Sequence, residues 1–167
     1  MFRALNILFA LIFFLPADIF ALSTDAMQNM HIIADSTLFN YKSGFNTYDG
    51  NVRIDQGSTR LNADRVTTQN DAHHKMQEAT AYGFKKPAHY WTTPKEGDLT
   101  FNAQATIIKF YPIKSLVVLE GNVVVTQGNN SFHGPIMYYN IKDQTVTSPQ
   151  NKNGHATIII EPDQISI

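Results

Sequence analysis

Asp49-Gly50-Asn51-Val52-Arg53-Ile54-Asp55-Gln56-Gly57 returns, without a gap, as Glu120-Gly121-Asn122-Val123-Val124-Val125-Thr126-Gln127-Gly128. The same offset of 71 residues (120 − 49) carries Leu61 onto Phe132, Ala63 onto Gly134, Val66 onto Met137, Phe39 onto Phe110 and Gly83 onto Gly154. A repeat of hydrophobic strands marks a unit that cannot close its own core and stacks on a copy of itself. Val and Ile alternate here with polar residues, the period of two that turns one side of a strand inward and the other to water. The chain therefore reads as all-β, built from two stacked antiparallel units of about 70 residues each.

Asp49-Gly50 is a strong hairpin signal, because a type I′ turn needs positive φ at both central residues. Such a turn would pair Tyr48 with Asn51 and Thr47 with Val52. It predicts Phe45, Thr47, Val52 and Ile54 on one inward face, with Leu116, Val118, Val123 and Val125 in the same places of the second copy. Residues 94–98 read as the loop between the units, and residues 150–154 as a polar turn. Near its end the chain carries Ala156-Thr157-Ile158-Ile159-Ile160, β-prone sequence that leaves a strand exposed.

The 167 residues include 13 Lys+Arg against 14 Asp+Glu, six histidines and no cysteine. Near-neutral charge removes the case for bulk nucleic-acid binding, which needs clustered cations on phosphates. Without thiols there are no disulfides, thiolate metal sites or cysteine nucleophiles. Residues 1–21 carry one cation, Arg3, then an apolar stretch over residues 4–15 broken only by Asn6, then Pro16 and the small Ala21. That layout predicts an export signal cleaved after Ala21. Its apolar run is short of the roughly 20 residues a bilayer span needs. A single mature domain, residues 22–167, outside the cytoplasm is the expectation.

Catalytic machinery is not legible. Of the histidines only His73 and His74 are adjacent, and strand neighbours point to opposite faces, which argues against a metal site. There is no Ser-His-acid constellation, phosphate loop or His-Glu-x-x-His motif. The expectation is no enzyme, no metal and no cofactor. Asp35, Asp49, Asp55 and Asp64 read as turn or strand-end carboxylates that cap backbone donors. The apolar stripe admits two readings, a packed sandwich core or a groove lined for acyl chains. The abundance of Phe45, Tyr90, Phe101, Phe110, Phe132, Met137 and Tyr139 suits the groove, because large flexible side chains line such sites. The residues alone leave both open.

Gly50-Asn51-Val52, Gln56-Gly57, Leu61-Asn62-Ala63-Asp64-Arg65-Val66, Ala81-Tyr82-Gly83 with Pro87-Ala88, and Val117-Val118-Leu119-Glu120-Gly121-Asn122-Val123 together resemble the OstA-like family of periplasmic lipopolysaccharide-transport proteins. The similarity runs in order over residues 30–162. It implies an open β-jellyroll, V-shaped in section, whose hydrophobic interior takes lipopolysaccharide acyl chains while the sugars project outward. It further implies copies joined end to end and continuing into inner-membrane LptC and outer-membrane LptD, a periplasmic bridge driven by an inner-membrane ATPase. By position, the family's lipid contacts fall on Met30, Ile32, Tyr90, Phe110 and Pro112. With the alternation, the candidate groove comprises Met30, Ile32, Phe45, Val52 and Ile54, then Tyr90, Phe101, Ile108 and Phe110, then Leu116, Val118, Val123, Val125 and Phe132. The docking edges are Met30, His31, Ile32 and Ile33 at one end and Thr157, Ile158, Ile159 and Ile160 at the other. Two positions depart from the family pattern. Pro135 stands where an acid like Asp64 is usual, and Pro112 replaces an aliphatic residue and must bend or leave its strand. The alternatives are an LptC-like anchored component that keeps residues 1–21, and an envelope β-scaffold that binds no lipid.

Overall fold

A computed structural model describes residues 24–95, 97–150 and 154–160 of the chain. The expected export signal and most of the expected 150–154 turn lie outside them. After a 3₁₀ turn, Thr24–Met27, come β1 (His31–Ile33), β2 (Ser36–Phe39), β3 (Phe45–Gln56), β4 (Thr59–Asn70), β5 (Met76–Tyr82) and β6 (Ala88–Thr92). They are followed by β7 (Phe101–Ala105), β8 (Ile107–Tyr111), β9 (Leu116–Gln127), β10 (Asn130–Asn140), β11 (Thr145–Thr147) and β12 (Thr157–Ile159). A second 3₁₀ turn, Pro112–Lys114, joins β8 to β9; Pro112 has left the strand and heads this turn.

The four long strands decide the shape, because each pairs along its two halves with different neighbours. One half of β3 pairs with β2 and the other with β1; β4 divides likewise between β5 and β6. In the second copy β9 divides between β8 and β7, and β10 between β11 and β12. The chain thus makes eight sequential antiparallel passes, every one bent along the same line. One layer runs β2-β3-β4-β5-β8-β9-β10-β11 and the other β1-β3-β4-β6-β7-β9-β10-β12. At about 4.8 Å per strand, the eight passes span about 34 Å.

The bend is a β-bulge in both copies. Asp49 faces Arg65 and Val52 faces Ala63, so three steps on β3 meet two on β4. Glu120 faces Ile136 and Val123 faces Gly134, the same pairs moved by 71 residues. Gly50 and Asn51 have φ of 78° and 47°, Gly121 and Asn122 79° and 49°. The Gly50 carbonyl accepts the Asp35 N–H and the Gly121 carbonyl the Thr106 N–H, each at 2.9 Å. A Cβ on Gly121 would stand 2.8 Å from Thr106 Oγ1, so glycine is required there for space as well as for φ.

The expected hairpin at Asp49-Gly50 is therefore absent. Positive φ falls one residue later, on Gly50 and Asn51 instead of Asp49 and Gly50, and bends a strand that continues to Gln56. Reversal comes at Gly57-Ser58, where Gln56 pairs with Thr59, and at Gly128-Asn129, where Gln127 pairs with Asn130. Because β3 runs through, its inward residues are Asn46, Tyr48, Val52 and Ile54, and those of β9 are Val117, Leu119, Val123 and Val125. Phe45, Thr47, Leu116 and Val118, expected inside, lie on the outer face. Phe45 is 43% exposed. Val118 is covered by its outer-face neighbours Lys109 and Tyr138, whereas Val117 and Leu119 on either side of it belong to the core. His73 and His74 also sit differently from expectation, in the β4–β5 turn with His74 at φ 61°.

Candidate functional site

The two layers face each other across an apolar interior, closed along the bend and bordered on the opposite side by the strand ends. Ile32, Val52, Ile54, Tyr90 and Phe101 face into it, as do Ile108, Phe110, Val123, Val125 and Phe132. Met30 lies just before β1 and is 37% exposed. Met137 and Tyr139, named for their side chains, are buried in this interior, as are Tyr48, Val66, Val117 and Leu119, which the sequence reading missed. Running β3 through the Gly50 bulge, instead of turning it, would have found them by parity. At mid-length this interior is filled by its own side chains, for Phe101, Ala103, Val117, Leu119 and Val125 have no exposed surface.

The two units differ at the open side. In the first, the rim is polar and self-satisfied: Asn46 Nδ2 donates to Thr68 Oγ1 at 3.1 Å, and Asn46 Oδ1 accepts the Asn40 N–H at 3.2 Å. Across from it the Thr59 and Thr92 hydroxyls bond at 2.9 Å, and Asp25 accepts from Ser58 Oγ at 2.6 Å and Thr59 Oγ1 at 3.1 Å. Burial pushes the Tyr90 phenol far above its usual pKa. In the second unit aromatic rings occupy the same level. Phe101 stacks on Tyr139 with centroids 3.7 Å apart, and Tyr90 meets Phe101 edge-on at 6.3 Å. Above them Gln144 Nε2 donates to Asp98 Oδ2 at 3.0 Å, linking the β10–β11 turn of one layer to the β6–β7 loop of the other. The loop reading of residues 94–98 agrees with this placement.

A polar cleft of about 190 Å³ on the outer side of the bend involves Asp35, Asp49, Asn51, Asp64, Arg65 and Lys85. Its carboxylates are engaged structurally. Asp64 Oδ2 accepts the Phe84 and Lys85 N–H groups, both at 2.6 Å, bonds that hold its carboxyl below the usual range. Asp49 pairs with Arg65 at 2.7 Å and Asp35 accepts from Asn51 Nδ2 at 2.8 Å. Asp55 lies within β3 between Arg53 and Arg60, each 2.8 Å away. Asp64 is thus the backbone cap that was expected, and Asp49 and Asp55 are ion-pair partners on a strand. Among the described residues no cluster of His, Asp or Glu could hold a metal ion.

The ends of the molecule are open edges. Among the described residues β1 and β2 pair only with β3, and β11 and β12 only with β10. His31, Ile32 and Ile33 make up β1 and Thr157, Ile158 and Ile159 make up β12, flanked by Met30 and Ile160. Ile33, Ile158 and Ile160 are more than half exposed, a hydrophobic edge of the kind that recruits another strand.

Residues 31–145 match the family described as LptA/(LptD N-terminal domain) LPS transport protein. The chain is 30% identical over 137 residues to the lipopolysaccharide export system protein LptH of Pseudomonas aeruginosa, covering 82% of this chain and 77% of that protein. To the lipopolysaccharide export system protein LptA of Escherichia coli K12 it is 27% identical over 146 residues, 87% of this chain and 78% of that one. In three dimensions it matches the crystal structure of P. aeruginosa LptH, the periplasmic component of a lipopolysaccharide transport device. The TM-score is 0.74 at 29% identity, over 83% of this chain and 99% of that one.

Proposed function

The chain belongs to the LptA/LptH lipopolysaccharide-transport family, and from that membership we propose that it is a periplasmic bridge protein carrying lipopolysaccharide acyl chains along the trough. Members of this family transport and do not catalyse. The observation that carries the reading is the inward apolar row contributed by successive bent passes, which runs the length of a molecule whose two ends are open strand edges. Each buried methylene is worth about 0.8 kcal/mol, so a lipid with several acyl chains needs such shelter to cross water. A row of similar sites, unlike one tight pocket, lets the lipid move on.

In this reading residues 1–21 are the export signal and the mature domain lies in the periplasm. Ile32, Val52, Ile54, Tyr90, Ile108 and Phe110 contact the chains in the first unit and at the junction; Phe101, Val123, Val125 and Phe132 do so in the second. The β1 and β12 edges join copies end to end and dock on LptC and LptD by strand addition. The filled interior of the second unit favours the rival reading, a β-scaffold that binds no lipid.

Photocrosslinking decides between them. A photoreactive residue at Tyr90 or Phe110 is expected to capture lipopolysaccharide in cells that make it, whereas one at outward Arg53 or Leu116 is not. Equal or absent labelling at all four would leave the scaffold.

A further inference from the structure

One layer ends, on the side away from the bend, in four turns: residues 40–44, 71–75, 112–115 and 141–144. Each contains one lysine: Lys42, Lys75, Lys114 and Lys142. The turns join passes one to two, three to four, five to six and seven to eight, so one lysine recurs every two strands, about 10 Å apart, along the whole rim. The internal repeat keeps the arrangement although its turns differ in length. Lys42 shifted by 71 falls one residue from Lys114, and Lys75 shifted by 71 falls four from Lys142.

All four are exposed. The salt bridges among the described residues belong to Arg53, Arg60, Arg65 and Lys109 and involve none of the four. The acids in the same turns are occupied locally. Asp71 Oδ1 accepts the His73 and Lys75 N–H groups at 2.9 Å, and Asp143 Oδ2 accepts from Asn140 Nδ2 at 2.8 Å. The facing rim is built differently. Its two tight turns, Gly57-Ser58 and Gly128-Asn129, carry no charge, its longer loop has Lys95, Glu96 and Asp98 in its sequence, and Asp25 lies against Ser58 and Thr59.

We propose that Lys42, Lys75, Lys114 and Lys142 form a cationic track on one rim of the trough that holds the phosphate groups of a lipid whose chains lie inside. The inference rests on the lipid-carrying reading above. An amphiphile with its chains in the trough must leave its polar head at the open side, and ammonium groups on long flexible stems meet phosphate there as point charges without demanding one geometry. Exposed pairs of this kind are individually weak, so a head can leave one lysine for the next. Where copies joined by their edge strands, the following lysine would again stand two strands on.

The test compares bisphosphorylated lipid A with the same lipid after phosphatase treatment, each displacing an apolar fluorescent probe from the full mature chain. The unaltered protein is expected to prefer the phosphorylated form about tenfold, as two engaged lysines allow. The K42Q/K75Q/K114Q/K142Q variant is expected to lose the preference while keeping its affinity for the dephosphorylated lipid, and K85Q/K86Q at the bend to behave as the unaltered protein. A preference that survives the fourfold change, or its absence from the unaltered protein, overturns the track and leaves the trough standing. Failure of the unaltered protein to bind either lipid overturns the trough and the track with it. Inorganic phosphate added alone is expected to cause no saturable amide shifts in the four turns; saturation would make this a free-phosphate site and overturn the lipid assignment.

Discussion

Phe101 of β7 and Tyr139 of β10 stack face to face across the trough, centroids 3.7 Å apart and planes 9° from parallel, although the two strands' ends belong to opposite layers. A lipid chain in the second unit must part these rings. Replacing Phe101 by Leu keeps apolar bulk and removes the stack, so stability should fall by about 1 kcal/mol while uptake of an apolar probe rises. Urea unfolding and probe titration measure the two; uptake unchanged by the loss of the stack would place the rings off the lipid's path.

Among the described residues the Tyr139 hydroxyl has no hydrogen-bond partner, and burial, with the Asp98 charge adding to it, pushes the phenol up to about 12. Removing an unsatisfied buried hydroxyl is neutral or favourable. Tyr139→Phe is accordingly expected to leave stability unchanged or raise it by about 1 kcal/mol, read from the denaturation midpoint. A clear loss would mean that the hydroxyl has a partner.

The parity of β9 is testable with two leucines three residues apart. Leu119 is fully buried and Leu116 lies on the outer face. Leu119→Ala should cost about 2–5 kcal/mol as a cavity, and Leu116→Ala less than about 1 kcal/mol. Equal costs would contradict the inward face described for the second unit.

Asp64 supplies a pH dependence of known sign. The Lys85 and Phe84 N–H groups lower its folded-state pKa below the ordinary 3.8. The stability it contributes is therefore fully present above the unfolded value and lost as pH falls through the folded one. Asp64→Ala should lower the melting temperature at pH 7 and bring it level with the unaltered protein at pH 2. A difference that persists unchanged at pH 2 would mean that the cap acts without its charge.

Edge docking predicts assembly that one residue can stop. Proline removes a ladder donor and is poorly tolerated within paired strands, so Ile159→Pro in β12 should abolish end-to-end multimers in sedimentation without unfolding the domain. Multimers that survive it would move the contact away from this edge.

The all-β character and the two copies were legible in the sequence, since period-two alternation and the 71-residue offset are properties of order along the chain. The exposed β-prone stretch at Ile158, Ile159 and Ile160 could be read as well. What Asp49-Gly50 does was not legible. A glycine at positive φ serves a hairpin with Asp49 or a bulge with Asn51, and the Gly50 carbonyl of the bulge meets the Asp35 N–H, a contact made from outside the strand. From that choice followed the outward placement of Phe45, Leu116 and Val118.

Sequence by itself thus determined the all-β character and how the units repeat, because local conformational preference and periodicity are written residue by residue. Tertiary structure alone decided which parity faces inward, that Phe101 and Tyr139 close one unit while Asn46 and Thr68 line the rim of the other, and that four lysines in separate turns share one rim. Those relations arise only when eight passes bend along a common line and bring into contact residues that no local rule connects.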